Sequence, residues 1–423
     1  MILLLILFPC IYFLPFCINR TVRSSPEYSA ADYYKSSIQY HKSYSNMPHS
    51  VTPSIEQDSL KIAILGAAGG IGQSLSLLLK AQLQYQLKES NRSVTHIHLA
   101  LYDVNQEAIN GVTADLSHID TPISVSSHSP AGGIENCLHN ASIVVIPAGV
   151  PRKPGMTRDD LFNVNAGIIS QLGDSIAECC DLSKVFVLVI SNPVNSLVPV
   201  MVSNILKNHP QSRNSGIERR IMGVTKLDIV RASTFLREIN IESGLTPRVN
   251  SMPDVPVIGG HSGETIIPLF SQSNFLSRLN EDKLKYLIHR VQYGGDEVVK
   301  AKNGKGSATL SMAHAGYKCV VQFVSLLLGN IEQIHGTYYV PLKDANNFPI
   351  APGADQLLPL VDGADYFAIP LTITTKGVSY VDYDIVNRMN DMERNQMLPI
   401  CVSQLKKNID KGLEFVASRS ASS

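Results

Sequence analysis

The chain has 423 residues, equal numbers of acidic and basic side chains, and 44% hydrophobic residues. That is a globular composition, long enough for two domains with real cores. The neutral balance, with no long basic run, argues against nucleic acid as a partner. Seven scattered cysteines (Cys10, Cys17, Cys137, Cys179, Cys180, Cys319 and Cys401) form no C-x-x-C pair. This argues against a disulfide framework or a zinc site, so no metal is expected, and a reducing compartment fits.

Residues 2–18 are almost wholly apolar. Read as a signal peptide, the run lacks a preceding Lys or Arg and a following A-x-A-like cleavage site. Read as a membrane anchor, it is interrupted by Pro9 and Pro15 and is short for a bilayer. The third reading is the expectation here. Residues 1–46 are absent from the working protein, which starts at Met47 and carries a loose tail over 47–60, with no membrane partner. The Ser/Tyr-rich, patternless composition of residues 20–46 supports it.

The first patterned stretch is Lys61-Ile62-Ala63-Ile64-Leu65-Gly66-Ala67-Ala68-Gly69-Gly70-Ile71-Gly72. An apolar run ends in glycines spaced three apart, and a helix-period segment follows (Leu75, Leu78, Leu79). Strand, tight turn and helix in that order form a phosphate cradle, because glycine lets the backbone approach a pyrophosphate and the helix N-terminus offers unpaired N–H groups. His96–Asp103 reads as a second strand ending in an acid, the position that bonds ribose hydroxyls and disfavours a 2′-phosphate, hence NAD over NADP. Its gap from the last glycine exceeds the usual value of about twenty residues, because Gln82–Thr95 adds polar sequence.

Gly111–Leu116 with Ser117 and His118 reads as a helix end and loop, while Ile143–Ile146 and Val185–Ile190 are apolar runs without alternation. Such runs separated by helical segments indicate a doubly wound parallel sheet covered on both faces. Ligands sit at the carboxyl ends of its strands, a rule that collects Gly66, Asp103, Gly149 and Asn192 along one edge.

Three segments carry chemistry. The Pro/Gly-rich stretch 149–161 holds Arg152 and Arg158. Either they clamp an anion through bidentate forks on a closing loop, or they are a solvated basic loop. In Gly223–Arg231, Asp228 and Arg231 are three apart in a helix-period run and share a face. His261 stands in VIGGHSG, flanked by glycines that leave its ring approachable, as a base near neutral pH requires.

GAAGGIG, the strand-end Asp103, IPAGVPRKPGMTRDDLF, ISNPVN, GVTKLDIVRA, VIGGHSGETIIPL and GKGSATLSMAHAG together resemble the NAD-dependent malate dehydrogenase family, in family order, from residue 61 to about 418. Within it the chain looks most like fungal, yeast-type cytosolic members, down to MPHSV at Met47. The resemblance implies an α/β chain with a Rossmann-type doubly wound parallel sheet in an NAD-binding domain (61–194), followed by an α+β catalytic domain (195–423). It also implies NAD as cofactor, a dicarboxylate substrate, a homodimer and a cytoplasmic location. The roles implied are the tricarboxylic acid cycle, the glyoxylate bypass and gluconeogenesis. Residue by residue, it implies that Arg152 holds the distal carboxylate, Arg158 polarises the reacting oxygen and Arg231 pairs with the proximal carboxylate. Asn192 bonds substrate at its strand end. His261 accepts the proton and Asp228 orients it. Gly66, Ala67, Ala68, Gly69, Gly70, Ile71, Gly72 and Asp103 hold the cofactor, and Asn165, Ile190 and Met312 align with cofactor-contacting positions.

Two departures stand out: the longer Gln82–Thr95 segment, and Lys226, a charge two residues before Asp228 where a neutral residue is common. Lys226 would weaken the field favouring a protonated His261 if it pointed inward. Residues 340–386 read as strands of an outer sheet in the second domain. A lactate-type enzyme conflicts with Arg152, and a non-catalytic nucleotide-binding protein conflicts with the full set of site residues.

Overall fold

A computed structural model describes residues 59–150, 158–244, 252–273 and 279–420. The apolar runs become the centre of the sheet. They are β1 (Ser59–Leu65), β2 (His96–Tyr102), β4 (Ile143–Ile146) and β5 (Phe186–Val189), joined by β3 (Ser124–His128) and β6 (Ile221–Gly223). These six strands are parallel, in the order β3-β2-β1-β4-β5-β6. Ile62 lies between Leu99 on one side and Ile143 on the other. Every residue of β4 is fully buried, which is why its sequence shows no alternation. Helices α1 (Gly70–Lys88), α2 (Gln106–Ser117), the short α3 (Glu135–Leu138), α4 (Arg158–Cys179) and α5 (Val194–Asn208) connect the strands. Strand order reverses between β1 and β4, which opens a crevice beyond their carboxyl ends.

The second half continues this sheet instead of building a separate one. α6 (Lys226–Glu242) leads to the pair β7 (Val257–Gly259) and β8 (Ile266–Pro268), then α7 (Glu281–Ala301) and α8 (Leu310–Leu327). β9 (Ile334–Pro341), α9 (Ala354–Leu360), β10 (Tyr366–Thr374), β11 (Gly377–Val381), α10 (Asp384–Asn387) and α11 (Leu398–Ser420) follow. β9 joins β6 antiparallel at Gly223 and Tyr339, and β10 pairs with β9, β7 and β11. The strands expected over 340–386 therefore belong to one eleven-stranded sheet. Gly223 makes the junction possible, because a Cβ there would stand 2.6 Å from Val194 Cγ1 and 3.1 Å from Tyr339 Cβ. One core runs through the whole sheet, and a smaller one fills the space between α6, α7, β7 and β8 around Leu236, Phe270, Leu287 and Val291.

Two local outcomes differ from the pattern of the sequence. Half of the long Gln82–Thr95 segment is simply more α1, which runs to Lys88 and buries Leu83. β3 reads Ser-Val-Ser-Ser-His and carries no apolar signal. It is an edge strand whose Ser124 and Ser126 hydroxyls lie 2.6–2.8 Å from ring nitrogens of His96, His98 and His128. Among the described residues no helix is long and apolar enough to cross a membrane. Residues 1–58, including the apolar run and Met47, lie outside the described residues.

This histidine ladder gives the fold a pH dependence of definite sign. Burial pushes His98 and His128 down to about 4, and the nearby Lys61 ammonium adds to the shift. The fold thus favours neutral rings. The stability this provides is complete above about pH 6.5, the unfolded value, and is lost as pH falls toward 4. The loss is at most about 1.4 kcal/mol per pH unit per ring, less for partial exposure. Urea midpoints should fall across this interval, and a His98→Gln/His128→Gln double variant should fall less. Equal losses in both proteins would assign the acid sensitivity to other groups.

Candidate active site

The first part of the site is the turn after β1. Gly66 has φ +97°, and a Cβ there would lie 2.6 Å from Ala148 Cα at the end of β4. A Cβ on Gly72 would lie 2.3 Å from Gly66 O. Glycine is therefore required for the turn to close and for α1 to start against the crevice. The N-cap of α1 is Gly69, with no side chain to cap the helix, so the N–H groups of the first turn are left for an anionic ligand. Gly66 and Ala67 both donate from N–H to the Tyr102 carbonyl, at 2.8 and 3.0 Å, which ties the turn to the end of β2. The next residue, Asp103, accepts the Ala68 N–H on Oδ2 and the Asn105 N–H on Oδ1, each at 3.0 Å. The two acceptor bonds fix its carboxylate beside the turn. Above Gly70 stands Thr309, whose Cγ2 would be 3.1 Å from a Cβ at that glycine, so the start of α8 borders the cradle. A dinucleotide pyrophosphate fits this arrangement: crowded glycines, an uncapped helix N-terminus and an acid at the neighbouring strand end.

The second part gathers the ends of β4 and β5. Asn165 of α4 is 3% exposed. Its Oδ1 accepts the Val150 N–H at 2.9 Å, and its Nδ2 donates to the Asn192 carbonyl at 2.8 Å. It thus fastens the two strand ends together. Asn192 itself is exposed and enters a cis peptide bond with Pro193. Ile190 and Met312 are 2% and 3% exposed and form apolar wall near α8. Sequence reasoning assigned these residues to the cofactor or substrate, and the part Asn165 plays in joining the strand ends is additional.

The third part is the ionisable centre. His261 Nδ1 lies 2.6 Å from Asp228 Oδ2, and the Asp228 side chain is 0% exposed against 9% for His261. Arg231 stands one turn along α6 from Asp228 with its side chain 12% exposed. Its Nη1 is 3.8 Å from Asp228 Oδ1, close enough for Coulomb attraction and too far for a hydrogen bond. Asp228 Oδ1 accordingly has no hydrogen-bond partner among the described residues. The guanidinium fork is not consumed by Asp228. Burial draws Arg231 down from its ordinary value, and Asp228 opposes that shift most. Gly294 of α7 makes room for it, since a Cβ there would sit 3.1 Å from Arg231 Cδ.

The glycines around His261 serve packing more than access. A Cβ on Gly259 (φ +101°) would lie 2.2 Å from Thr265 O. One on Gly260 would lie 2.6 Å from Thr265 Oγ1 and 2.8 Å from Asn195 Oδ1. Sequence reasoning missed Asn195, whose Oδ1 accepts the His261 N–H at 2.8 Å. The signal available was the second Asn of ISNPVN, a polar side chain in the first turn of the helix that follows the strand-end Asn192.

Arg152 lies outside the described residues, as does the side chain of Arg158, which begins α4. Lys226 does not join the His261 centre. With Ile229, His335, Thr337 and Arg388 it lines a separate cleft of about 890 Å³. Its ammonium counteracts the burial that pushes the Cys319 thiol up to about 11.

The fold and this geometry define a dinucleotide-dependent dehydrogenase. The family profile described as lactate/malate dehydrogenase, NAD binding domain, matches residues 60–217, and that described as lactate/malate dehydrogenase, alpha/beta C-terminal domain, matches residues 225–416. The chain belongs to the lactate/malate dehydrogenase family, an NAD-dependent oxidoreductase. It is 44% identical over 363 residues to the mitochondrial malate dehydrogenase of Saccharomyces cerevisiae, covering 85% of this chain and 95% of that one. It is 40% identical over 372 residues to the peroxisomal malate dehydrogenase of the same yeast, covering 85% and 99%. To the human mitochondrial malate dehydrogenase it is 41% identical over 362 residues, covering 85% and 93%. Among solved structures, apo malate dehydrogenase from Picrophilus torridus shares the fold, with TM-score 0.66 at 21% identity over 85% of this chain and 99% of that one. So does a minor L-lactate dehydrogenase from Enterococcus mundtii, with TM-score 0.61 at 23% identity over 84% and 99%.

The expectation of a cytoplasmic enzyme is corrected by these relatives, which are mitochondrial and peroxisomal. The reason is physical. Every motif behind the resemblance from residue 61 onward lies in the catalytic core, whereas compartment addresses are terminal segments read by receptors.

The cradle makes a direct prediction. Gly72→Ala forces a methyl group into the Gly66 carbonyl, so NADH affinity should fall by at least about tenfold, the scale of a modest misplacement in a positioned site. Fluorescence titration with NADH checks this. Unchanged affinity would remove the turn from the cofactor site.

Proposed function

We propose that the chain is a malate dehydrogenase, interconverting (S)-malate and oxaloacetate with NAD. The observation that carries this reading is the His261–Asp228 pair, at 2.6 Å with a fully buried carboxylate. The identity of 40–44% with proteins named malate dehydrogenase supports the substrate. NAD, when bound, accepts hydride from the carbon that bears the substrate hydroxyl. Everything else falls to the chain.

With Nδ1 donating to Asp228, the neutral His261 ring presents Nε2 as an acceptor. Nε2 takes the hydroxyl proton as hydride leaves, and Asp228 then neutralises the charge that arrives on the ring. General-base assistance of this kind is typically worth about 10²–10⁴-fold. Arg231, with its fork not engaged by Asp228, pairs with the carboxylate next to the reacting carbon. Asn192, exposed at the end of β5, bonds the substrate. Arg158 stabilises negative charge on the reacting oxygen. Arg152 pairs with the distal carboxylate, which sets the substrate class. Opposite the methyl group of lactate or pyruvate its charge would stay unpaired in a closed site, costing several kcal/mol on the order-of-magnitude scale for a broken buried pair. Exclusion of water from the site around the substrate strengthens each of these interactions. Gly66, Ala67, Ala68, Gly69, Gly70, Ile71, Gly72 and Asp103 hold the dinucleotide, with Asn165, Ile190 and Met312 beside it. A homodimer, and service in the tricarboxylic acid cycle, the glyoxylate bypass or gluconeogenesis, complete the proposal.

His261→Asn should abolish turnover, measured as NADH absorbance with oxaloacetate, while NADH binding stays intact. A loss of NADH affinity instead would sink its role as proton acceptor. Arg152→Gln should reduce oxaloacetate reduction by about 10²-fold or more, the scale for losing a charged partner, and should spare whatever pyruvate reduction exists. Equal losses on both substrates would remove Arg152 from distal-carboxylate recognition.

A further inference from the structure

We infer that Asn195 is a positioning residue for His261, holding the backbone of the proton acceptor while Asp228 holds its ring. The inference rests on the proposed role of His261. Asn195 is the second residue of α5 and is 1% exposed. Its Oδ1 accepts the His261 N–H at 2.8 Å. Its Nδ2 lies 3.0 Å from Ser262 Oγ, 3.2 Å from Thr265 Oγ1 and 3.1 Å from Asn408 Oδ1. Its own carbonyl accepts the Tyr339 hydroxyl at 3.0 Å. One buried residue therefore ties the first turn of α5 to the turn carrying His261 and the long α11 through its side chain, and to the β9 strand at the sheet junction through its carbonyl.

The need for it follows from the local backbone. An imidazole is placed by its main chain and two torsions. Asp228 fixes the ring at Nδ1, but the main chain runs between Gly259 at φ +101° and Gly263 at φ +50°. Glycines on both sides make the segment intrinsically compliant, so its position must be set from outside. Thr265 closes the turn on itself, with its N–H donating to Ser262 O and its Oγ1 accepting the Ser262 N–H. Asn195 attaches that closed turn to α5, at the end of β5 where Asn192 also sits. The chemistry selects an amide: the oxygen must accept an N–H while the nitrogen donates to hydroxyl and amide oxygens. Leucine matches the volume and supplies neither. Aspartate keeps the acceptor and adds a second negative charge beside His261.

The test uses the full-length enzyme with three variants, assayed in malate oxidation. Asn195→Leu should lower kcat about 10–100-fold, the scale for an ångström-level misplacement of a catalytic group, with KM for NAD unchanged. Its primary isotope effect with C2-deuterated malate should rise, because the chemical step becomes slower than product release. Asn195→Asp should shift the acid limb of the kcat/KM profile to higher pH by roughly half to one unit, as a nearby carboxylate favours the protonated ring. This shift is readable even if the leucine variant fails to fold. A merely structural Asn195 would lower Tm while leaving kcat per folded enzyme, the isotope effect and the pH profile of wild type, and that result overturns the inference. His261→Asn serves as the reference. If it retains turnover, the proposed proton acceptor is wrong and the inference falls with it. If it is inactive while both Asn195 variants behave as wild type, only the inference falls.

Discussion

A fully buried carboxylate organises this molecule. Removing Asp228 from water is costly unless hydrogen bonds replace those it loses, and among the described residues only one of its oxygens has such a bond, from His261 Nδ1 at 2.6 Å. The other faces the Arg231 guanidinium across 3.8 Å. The pair can form only if the first turn of α6 and the turn after β7 meet, and α7 must present Gly294 so that Arg231 fits behind them. The smaller core around Leu236, Phe270 and Val291 supplies the apolar contact that brings these elements together. The histidine and aspartate are thus oriented by packing before any substrate arrives, which is the preorganisation that general-base chemistry exploits.

The parallel sheet sets the position of the glycine turn. Strand order reverses between β1 and β4, so the glycine turn and the β4 end face a common crevice. Asn165 joins the ends of β4 and β5 by bonding Val150 and Asn192. Gly223 lets β9 close on β6, and Tyr339, its partner in that bridge, sends its hydroxyl to the carbonyl of Asn195. The junction between the parallel and antiparallel parts of the sheet therefore lies directly beneath the groups around His261. A rigid connection at that point matters because the glycine turn and the His261–Asp228 pair come from different halves of the chain.

Much of this was legible in the sequence, for identifiable reasons. The apolar runs of β1, β4 and β5 are unambiguous because both faces of a parallel strand are buried. The glycines of the turn are legible because a Cβ at Gly66 or Gly72 would overlap backbone. The helical spacing of Asp228 and Arg231 placed both on one side of α6. β3 was not legible: an edge strand of serine and histidine satisfies its polar side chains with each other and needs no apolar alternation. Nor was Asn195, whose importance comes from contacts with residues far along the chain, Ser262, Thr265 and Asn408. The continuity of the sheet through β9 was hidden for the same reason, since a single bridge at Gly223 and Tyr339 decides it. Compartment was misread because the motifs of a core say nothing about terminal addresses.

The departure at Lys226 falls outside the charges around His261. Asp228 and Arg231, 3.8 Å apart, form a pair with no net charge beside the His261 ring. A lysine entering that space would add an uncompensated cation next to the His261 ring. Instead Lys226 lines the cleft shared with His335 and Arg388, and its influence falls on the buried Cys319. Helix geometry makes this separation possible. Lys226 and Asp228 are two residues apart and so project to different sides of α6, whereas Asp228 and Arg231, three apart, share one. The same helix can therefore carry a cation in one cleft and the buried carboxylate paired with His261 two positions apart.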